Sequence, residues 1–169
     1  MRAAPDNWER TTVGNLCSFE SGTGFGPSDW AKSGLPIIRI QNLNGSQEFN
    51  YFAGDPDPSW IVEPGELLFA WAGVKGVSFG PTIWHGERGV LNQNIYRIRP
   101  ANDVELDWLY LQLLHVTASI EANAHGFKSS LVHVRKADIT GQVCFRPPVS
   151  EQKAIASVVT TWDRGIRQL

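Results

Sequence analysis

The sequence predicts an α+β domain followed by a long C-terminal helix. Seven tryptophans and sixteen glycines are spread over short segments, which is typical of many brief strands joined by tight turns. Residues 141–169 differ from the rest, because a short strand there runs through two prolines into an amphipathic helix. We therefore expect one domain over residues 1–148 and a separate terminal helix over residues 149–169.

Length, charge and cysteine usage fit a soluble cytoplasmic protein with one hydrophobic core. The chain has 169 residues, of which 42% are hydrophobic, and a formal net charge of −2. With so little net charge, any contact with nucleic acid must come from a local basic face. Cys17 and Cys144 form no C-x-x-C pair, which indicates a reducing compartment. No apolar leader and no run of about 20 apolar residues occurs, so we expect no membrane contact.

The strand predictions follow from β-branched, apolar or alternating segments. Residues 36–40 are rich in isoleucine and lead into a polar loop, residues 41–47, whose Asn and Gly residues favour turns. After a Pro-Gly turn, the mostly apolar residues 66–72 predict a central strand. Residues 94–99 alternate as a half-exposed strand does, and residues 131–134 predict a further short strand.

Two further predictions concern a hairpin and a helix. Residues 73–80 are bounded by glycines and predict a hairpin with Lys75 at its tip. Asp107 is predicted to cap a helix that ends before a loop over residues 124–130. The buried face of that helix is expected to carry Leu109, Leu113, Val116 and Ile120.

The terminal helix carries the apolar seam of a coiled coil. Pro147 and Pro148 end the preceding strand, and Ser150 is placed to cap the first N–H groups of the helix. Apolar residues then recur at alternating spacings of four and three, at Ile155, Val159, Trp162, Ile166 and Leu169. Such a seam needs a partner helix, although a length of about two heptads and Gly165 predict weak dimerisation.

No set of residues shows a recognisable catalytic spacing. Residues 20–26 are similar to the glycine loop of S-adenosylmethionine-dependent methyltransferases, but no segment that reads as a buried parallel strand precedes them. The four histidines show no paired metal spacing, and the chain has neither a G-x-S-x-G elbow nor a P-loop. We therefore predict a binding module that is not an enzyme and uses no cofactor or metal.

Polar and basic side chains collect at the predicted loops and strand ends. Arg, Asn and Gln pair with base edges in the major groove, whereas Lys and Ser commonly hold phosphates. Taken singly, each such residue is more often part of a solvated turn. As a set they predict a DNA-binding surface formed by Arg39, Gln41, Asn42, Lys75, Asn94, Lys128, Arg135 and Lys136.

In their order along the chain, several segments resemble the target-recognition domain of the specificity subunit of type I restriction-modification enzymes. The resemblance depends most on the double-proline turn into Glu151 and Gln152 and on the heptad helix that follows. It extends over nearly the whole chain, through residues 8–16, 35–43, 62–68, 91–94, 108–110 and 145–152.

The resemblance implies a mixed, twisted β-sheet with short helices and a non-catalytic role in recognising double-stranded DNA. In that family the subunit directs adenine-methylating modification subunits and a restriction motor subunit to a bipartite site, which two such domains recognise. This chain holds one such domain. It is therefore either a fragment of a longer subunit or a half-subunit that forms a homodimer through a spacer or dimerisation helix at its end.

Two other interpretations stay open. The same domain would serve a fused restriction-methyltransferase if a methyltransferase preceded it in the polypeptide. Alternatively, the tryptophan-rich surface would bind a protein partner without DNA, which the near-neutral net charge allows. An interaction module of the second kind would add no sequence preference to DNA binding, so a binding assay distinguishes it.

Overall fold

The computed structural model describes residues 4–123 and 131–166, with side chains in the last helix described as far as Val159. Within these residues the chain forms twelve strands, five helices and two 3₁₀ turns, which confirms the predicted α+β class. None of these described helices has the length and apolar character that crossing a bilayer requires. The strands are β1 (Glu9–Thr12), β2 (Cys17–Ser21), β3 (Leu35–Ile38), β4 (Tyr51–Phe52), β5 (Ile61–Val62), β6 (Leu67–Ala70), β7 (Ala72–Val74), β8 (Gly80–Ile83), β9 (Gly89–Leu91), β10 (Ile95–Pro100), β11 (Leu131–His133) and β12 (Val143–Arg146). The helices are α1 (Val13–Leu16), α2 (Ile40–Leu43), α3 (Leu106–Asn123), α4 (Lys136–Thr140) and α5 (Val149–Ile166).

The central sheet is antiparallel and has four strands in the order β2-β10-β6-β8. Successive residues of β6 point to opposite faces, so Leu67 and Phe69 join one hydrophobic cluster with Trp108, and Leu68 joins a second cluster with Trp84. Burial on both faces explains why β6 is apolar throughout. The predicted central strand is therefore confirmed.

A second four-stranded sheet, β4-β3-β9-β5, is mixed. β3 and β9 run parallel, with Ile37 opposite Val90, whereas β4 and β5 pair antiparallel at the edges. Two short pairs, β1-β12 and β7-β11, complete the sheets of the described residues. The expected single sheet is thus divided into four, and tight turns occur between their short strands. At Gly34, for example, φ is 133° and a Cβ would lie 2.3 Å from the Phe52 carbonyl oxygen, so only glycine fits this turn.

The predicted hairpin over residues 73–80 is wrong in its strand pairing. β7 pairs with β11, with Val74 opposite Leu131, whereas β8 pairs with β6. The turn itself is present, since the Val77 amide donates to the Val74 carbonyl oxygen at 3.0 Å. Gly80 has a φ of 119°, which turns the chain so that β8 enters the central sheet.

Helix α3 packs on the central sheet, and its buried side chains belong to the larger hydrophobic cluster, which contains Trp108. Leu109 and Leu113 are fully buried and Val116 is nearly so, while Ile120 packs at the margin of the same cluster, which confirms the predicted apolar face. The predicted cap is wrong, because the Asp107 position already lies within the helix. The Glu105 carboxylate instead accepts a hydrogen bond from the Trp108 amide at 2.7 Å.

Helix α5 begins at Val149, so Ser150 lies in its first turn and the predicted cap is wrong. The Pro148 carbonyl oxygen accepts the amides of Glu151 and Gln152, which starts the helix at Val149.

The first turns of α5 pack on the domain. Ala156 is buried in the core that contains Trp108, and Ile155 packs against the same cluster. Ile155, predicted as part of a seam for a partner helix, therefore contacts its own domain. The predicted seam residues Trp162 and Ile166 lie beyond the described side chains, and Leu169 lies outside the described residues.

Gln152 anchors α5 to the domain through three hydrogen bonds. Its side chain is fully buried, and its carbonyl oxygen accepts the Glu105 amide at 2.8 Å. Its NH₂ group donates to the carbonyl oxygens of Asp103 at 3.1 Å and Pro147 at 2.9 Å. The double-proline turn and the start of α3 are thereby joined to the first turn of α5.

Replacing Gln152 with alanine is expected to lower the free energy of unfolding by about 3 kcal/mol, because the backbone groups of Glu105, Asp103 and Pro147 lose their partner. Chemical denaturation measures this change. The neighbouring Lys153 side chain is exposed, so Lys153→Ala is the matched control and should change stability by less than about 0.5 kcal/mol. Equal effects of the two substitutions would contradict the anchoring role.

Candidate nucleic-acid interface

Two polar turns meet at one edge of the mixed sheet. Because β3 and β9 are parallel, the residues that follow them emerge at the same edge. Arg39 follows β3 and Asn92 follows β9, and the Asn92 amide donates to the Ile38 carbonyl oxygen at 3.0 Å. Between the turns lies a pocket of about 190 Å³, here called the edge pocket, lined by Arg39, Ile40, Gln41, Asn92, Asn94 and Ile95.

The buried Asn42 side chain shapes the turn that carries Arg39 and Gln41. Its carbonyl oxygen accepts the Arg39 amide at 3.0 Å, and its NH₂ group donates to the carbonyl oxygens of Ser46 and Glu48 at 3.1 and 2.9 Å. Only 6% of the residue is exposed. Asn42, predicted as a DNA-contacting residue, therefore supports the turn and does not present its amide at the surface.

Replacing Asn42 with alanine is expected to lower the free energy of unfolding by about 2 kcal/mol, because the backbone groups of Arg39, Ser46 and Glu48 lose a shared partner. Thermal unfolding would show the loss. Gln41 is exposed and lies next to Asn42, so Gln41→Ala should leave stability within about 0.5 kcal/mol of the wild type. A Gln41 variant as unstable as the Asn42 variant would show that the loop is not held in this way.

Arg39 differs in its surroundings from most other arginines of the chain. Its guanidinium carbon lies 4.9 Å from the centroid of the Trp30 ring, in the range of a cation–π contact. Its Nε is buried and has no hydrogen-bond partner among the described residues. Within the same residues it forms no ion pair, in contrast to Arg88, Arg97, Arg99, Arg135 and Arg146.

The turn over residues 92–94 forms the other wall of the edge pocket. Hydrogen bonds and aromatic contacts stabilise it. The Asn92 side-chain oxygen accepts the Gln93 amide at 2.6 Å, and the Trp71 indole N–H donates to the Gln93 carbonyl oxygen at 3.2 Å. Trp71 stacks on Tyr96 and meets His133 edge-on, with ring centroids 6.0 and 4.7 Å apart. These contacts fix the turn against the central sheet.

Two of the predicted lysines, Lys75 and Lys136, do not line the edge pocket. The Lys75 ammonium donates to the Glu121 carbonyl oxygen at 2.8 Å, and the Lys136 ammonium donates to the Phe19 carbonyl oxygen at 2.9 Å. Both cations therefore stabilise contacts between elements of the fold. Their predicted role in holding phosphates stays a prediction.

The remaining predicted cations are Arg135 and Lys128. Arg135 forms two hydrogen bonds of 3.0 Å with Asp138, and these hold the pKa of that carboxyl below its usual range. Lys128 lies outside the described residues. Among the described residues, no group of three or more histidine, cysteine and carboxylate side chains is arranged to hold a metal ion.

The edge pocket thus brings together three of the predicted residues, Arg39, Gln41 and Asn94. Asn92 is not one of the eight predicted DNA-binding residues, although its position directly after an apolar strand is a usable signal. Trp30 carried no such signal, because its contact with Arg39 depends on how the β2–β3 connection folds back.

The model of the type I restriction modification DNA specificity domain matches residues 5–169. The chain belongs to this family. The resemblance found in the sequence is thereby confirmed. The specificity subunit of the type I restriction enzyme EcoBI from Escherichia coli is 27% identical over 159 residues, covering 92% of this chain and 32% of that protein.

Solved structures share the fold of this specificity-domain chain. The HsdS subunit from Thermoanaerobacter tengcongensis superposes with a TM-score of 0.71 at 17% identity, over 99% of this chain and 40% of that one. The S subunit of the type I system from M. genitalium gives a TM-score of 0.65 at 17% identity, over 99% of this chain and 42% of that one. This specificity domain therefore spans between 32% and 42% of the length of these relatives.

Proposed function

We propose that this chain is a non-catalytic target-recognition domain that binds double-stranded DNA within a type I restriction-modification complex. Membership of the specificity-domain family supports the general role. The edge pocket carries the proposal, because Arg39, Gln41, Asn92 and Asn94 converge there from two turns of one sheet edge. These are the side-chain types that contact DNA phosphates and base edges.

In this proposal the domain recognises one half of a bipartite site in the cytoplasm. It directs the DNA-methyltransferase (modification) subunits and the restriction motor subunit to that site. Lys75, Arg135 and Lys136, which do not line the edge pocket, add further phosphate contacts, and the proposal assigns the same role to Lys128. The exposed Arg135 side chain, of which 82% is accessible, supports this part of the proposal.

The proposal assigns the distal part of α5 to spacing or dimerisation. Val158 and Val159 are 59% and 38% exposed, whereas Ala156 is buried against the domain. The part of the apolar seam that does not pack on its own domain therefore begins near Val159. It continues through the predicted positions Trp162, Ile166 and Leu169, and it would contact a second recognition domain or a second copy of this chain. In this proposal the spacing function begins beyond the predicted domain boundary at residue 148, because the first turns of α5 pack on the domain.

Selection of bound duplexes from a randomised DNA pool tests this function. The chain assembled with its modification subunit is compared with the modification subunit alone, and bound DNA is sequenced. We expect a short enriched motif only when the chain is present. Enrichment of no motif would instead assign the chain to protein interaction, and a methyltransferase encoded upstream in the same gene would assign the domain to a fused enzyme.

A further inference from the structure

We propose that the edge pocket binds one backbone phosphate of the DNA. This contact adds to the affinity for the duplex but not to the recognition of its sequence. The inference rests on the proposed DNA-binding function and assigns a role within that surface. It reverses the simplest expectation from residue types, in which Arg39, Gln41 and Asn94 would all read base edges.

The first argument is the polarity of the lining. Arg39 is the only charged residue among the described residues that line the edge pocket, and no carboxylate accompanies it. The Asn92 side-chain oxygen is already bonded to the Gln93 amide, so its NH₂ group is the part left for a ligand. A recess with one cation and several amide donors suits an anion with several acceptor oxygens.

The second argument is the unmatched Arg39 donor. Its Nε is buried and finds no acceptor among the described residues, which is costly for a charged group. A phosphate in the pocket would offset this cost, because its charge balances the cation and its oxygens accept hydrogen bonds from the terminal N–H groups of the guanidinium. The planar guanidinium is also the cation that binds phosphate with two parallel hydrogen bonds.

The third argument is shape. Base edges lie at the floor of a major groove about 8.5 Å deep, so a residue that reads them must project from the protein. Arg39, Gln41 and Asn94 line a recess instead. A recess binds groups that protrude from the duplex. In B-form DNA the phosphates protrude, whereas the base edges lie within the grooves.

Trp30 acts in this proposal as a positioning residue for Arg39. Its ring covers one face of the guanidinium at 4.9 Å, which leaves the terminal N–H groups for the ligand. Asn42 fixes the backbone of the same residue through the Arg39 amide. The cation is therefore held in place before DNA arrives, which reduces the entropy lost on binding.

The test measures duplex binding by fluorescence anisotropy, using the chain assembled with its modification subunit. Wild type, Arg39→Gln and Arg39→Lys are titrated with the selected duplex and a scrambled duplex, between about 50 and 200 mM salt. Lys153→Gln, which removes the same charge from an exposed position of α5, is the matched control.

We expect Arg39→Gln to weaken binding of both duplexes about tenfold, as the loss of one charge-assisted hydrogen bond does. The slope of log K against log salt should become shallower by about 0.9, the value for one phosphate. The preference for the selected duplex should stay unchanged, and Arg39→Lys should restore the slope. Lys153→Gln should behave as wild type.

Two results would overturn the phosphate assignment. One is a change in the preference between the two duplexes with Arg39→Gln, which would make Arg39 a base reader. The other is an Arg39→Gln variant whose affinity and salt slope equal those of the wild type. A wild-type complex that binds neither duplex would instead refute the proposed DNA-binding function, so the two failures are distinguishable.

Discussion

Replacing Trp108 with alanine is expected to lower the free energy of unfolding by about 4 kcal/mol. Trp108 is fully buried at the centre of the larger core, between helix α3 and the central sheet. Alanine would leave a cavity that the paired strands of that sheet cannot close. For a chain of this length we expect the melting temperature to fall by roughly 10 °C, which calorimetry measures.

Trp108→Phe is the control that separates packing from hydrogen bonding. The Trp108 indole N–H is buried and has no hydrogen-bond partner among the described residues. Phenylalanine would remove that unsatisfied donor while it keeps most of the ring, so the expected loss is only about 1 kcal/mol. A phenylalanine variant as unstable as the alanine variant would show that a phenyl ring does not replace the packing of the indole.

Replacing Glu20 with alanine is expected to lower the free energy of unfolding by about 3 kcal/mol, more than Arg97→Met does. The Arg97 side chain is only 7% exposed, and it donates to the Glu20 carboxylate at 2.6 and 2.8 Å and to the Ile61 carbonyl oxygen. Removing Glu20 leaves a buried guanidinium without its carboxylate. Removing Arg97 leaves a Glu20 side chain that is 42% exposed and that water can solvate.

Denaturant midpoints of the two variants measure this asymmetry, with about 1 kcal/mol expected for Arg97→Met. If Arg97→Met were the more damaging change, the burial of Arg97 would not be the source of the effect.

The same ion pair predicts how stability depends on pH. Burial alone raises the pKa of Glu20, but the hydrogen bond and charge of Arg97, together with Arg99, outweigh it and lower the pKa below its usual value. A carboxyl whose pKa falls on folding stabilises the fold above its unfolded pKa of about 4.3, and this contribution is lost as the pH falls through the lower folded pKa. The wild type should therefore lose more stability below about pH 4 than Glu20→Ala does.

Elements with a local burial pattern could be predicted from the sequence. The apolar run of β6 predicted a central strand, and the spacing of Leu109, Leu113 and Val116 predicted the buried face of α3. Each signal lies within one segment, so no knowledge of distant contacts was needed. The helix caps were predicted less well, because Glu105 reaches Trp108 from a position that spacing alone does not single out.

Pairings and contacts between distant segments could not be predicted in this way. β7 pairs with β11, far along the chain, and nothing in the residues around Lys75 specifies that partner. The same limit applies to the candidate site. Residue types indicated Arg39, Gln41 and Asn94, but the recess they line exists only because β3 and β9 are parallel neighbours.

Asn42 shows why residue type alone misassigns a role. Its amide is the kind that reads adenine, and it directly follows the exposed candidate Gln41. Its burial follows from the turn after β3, which needs an acceptor for the Arg39 amide and donors for two carbonyl oxygens.

The central claim is that this domain determines which DNA sequence its modification complex recognises. Sequencing the methylated bases of the host genome, with and without the gene and after its return, tests that claim most directly. We predict one bipartite methylated motif that disappears on deletion and reappears with the wild-type gene. A set of methylated motifs that deletion leaves unchanged would contradict the account.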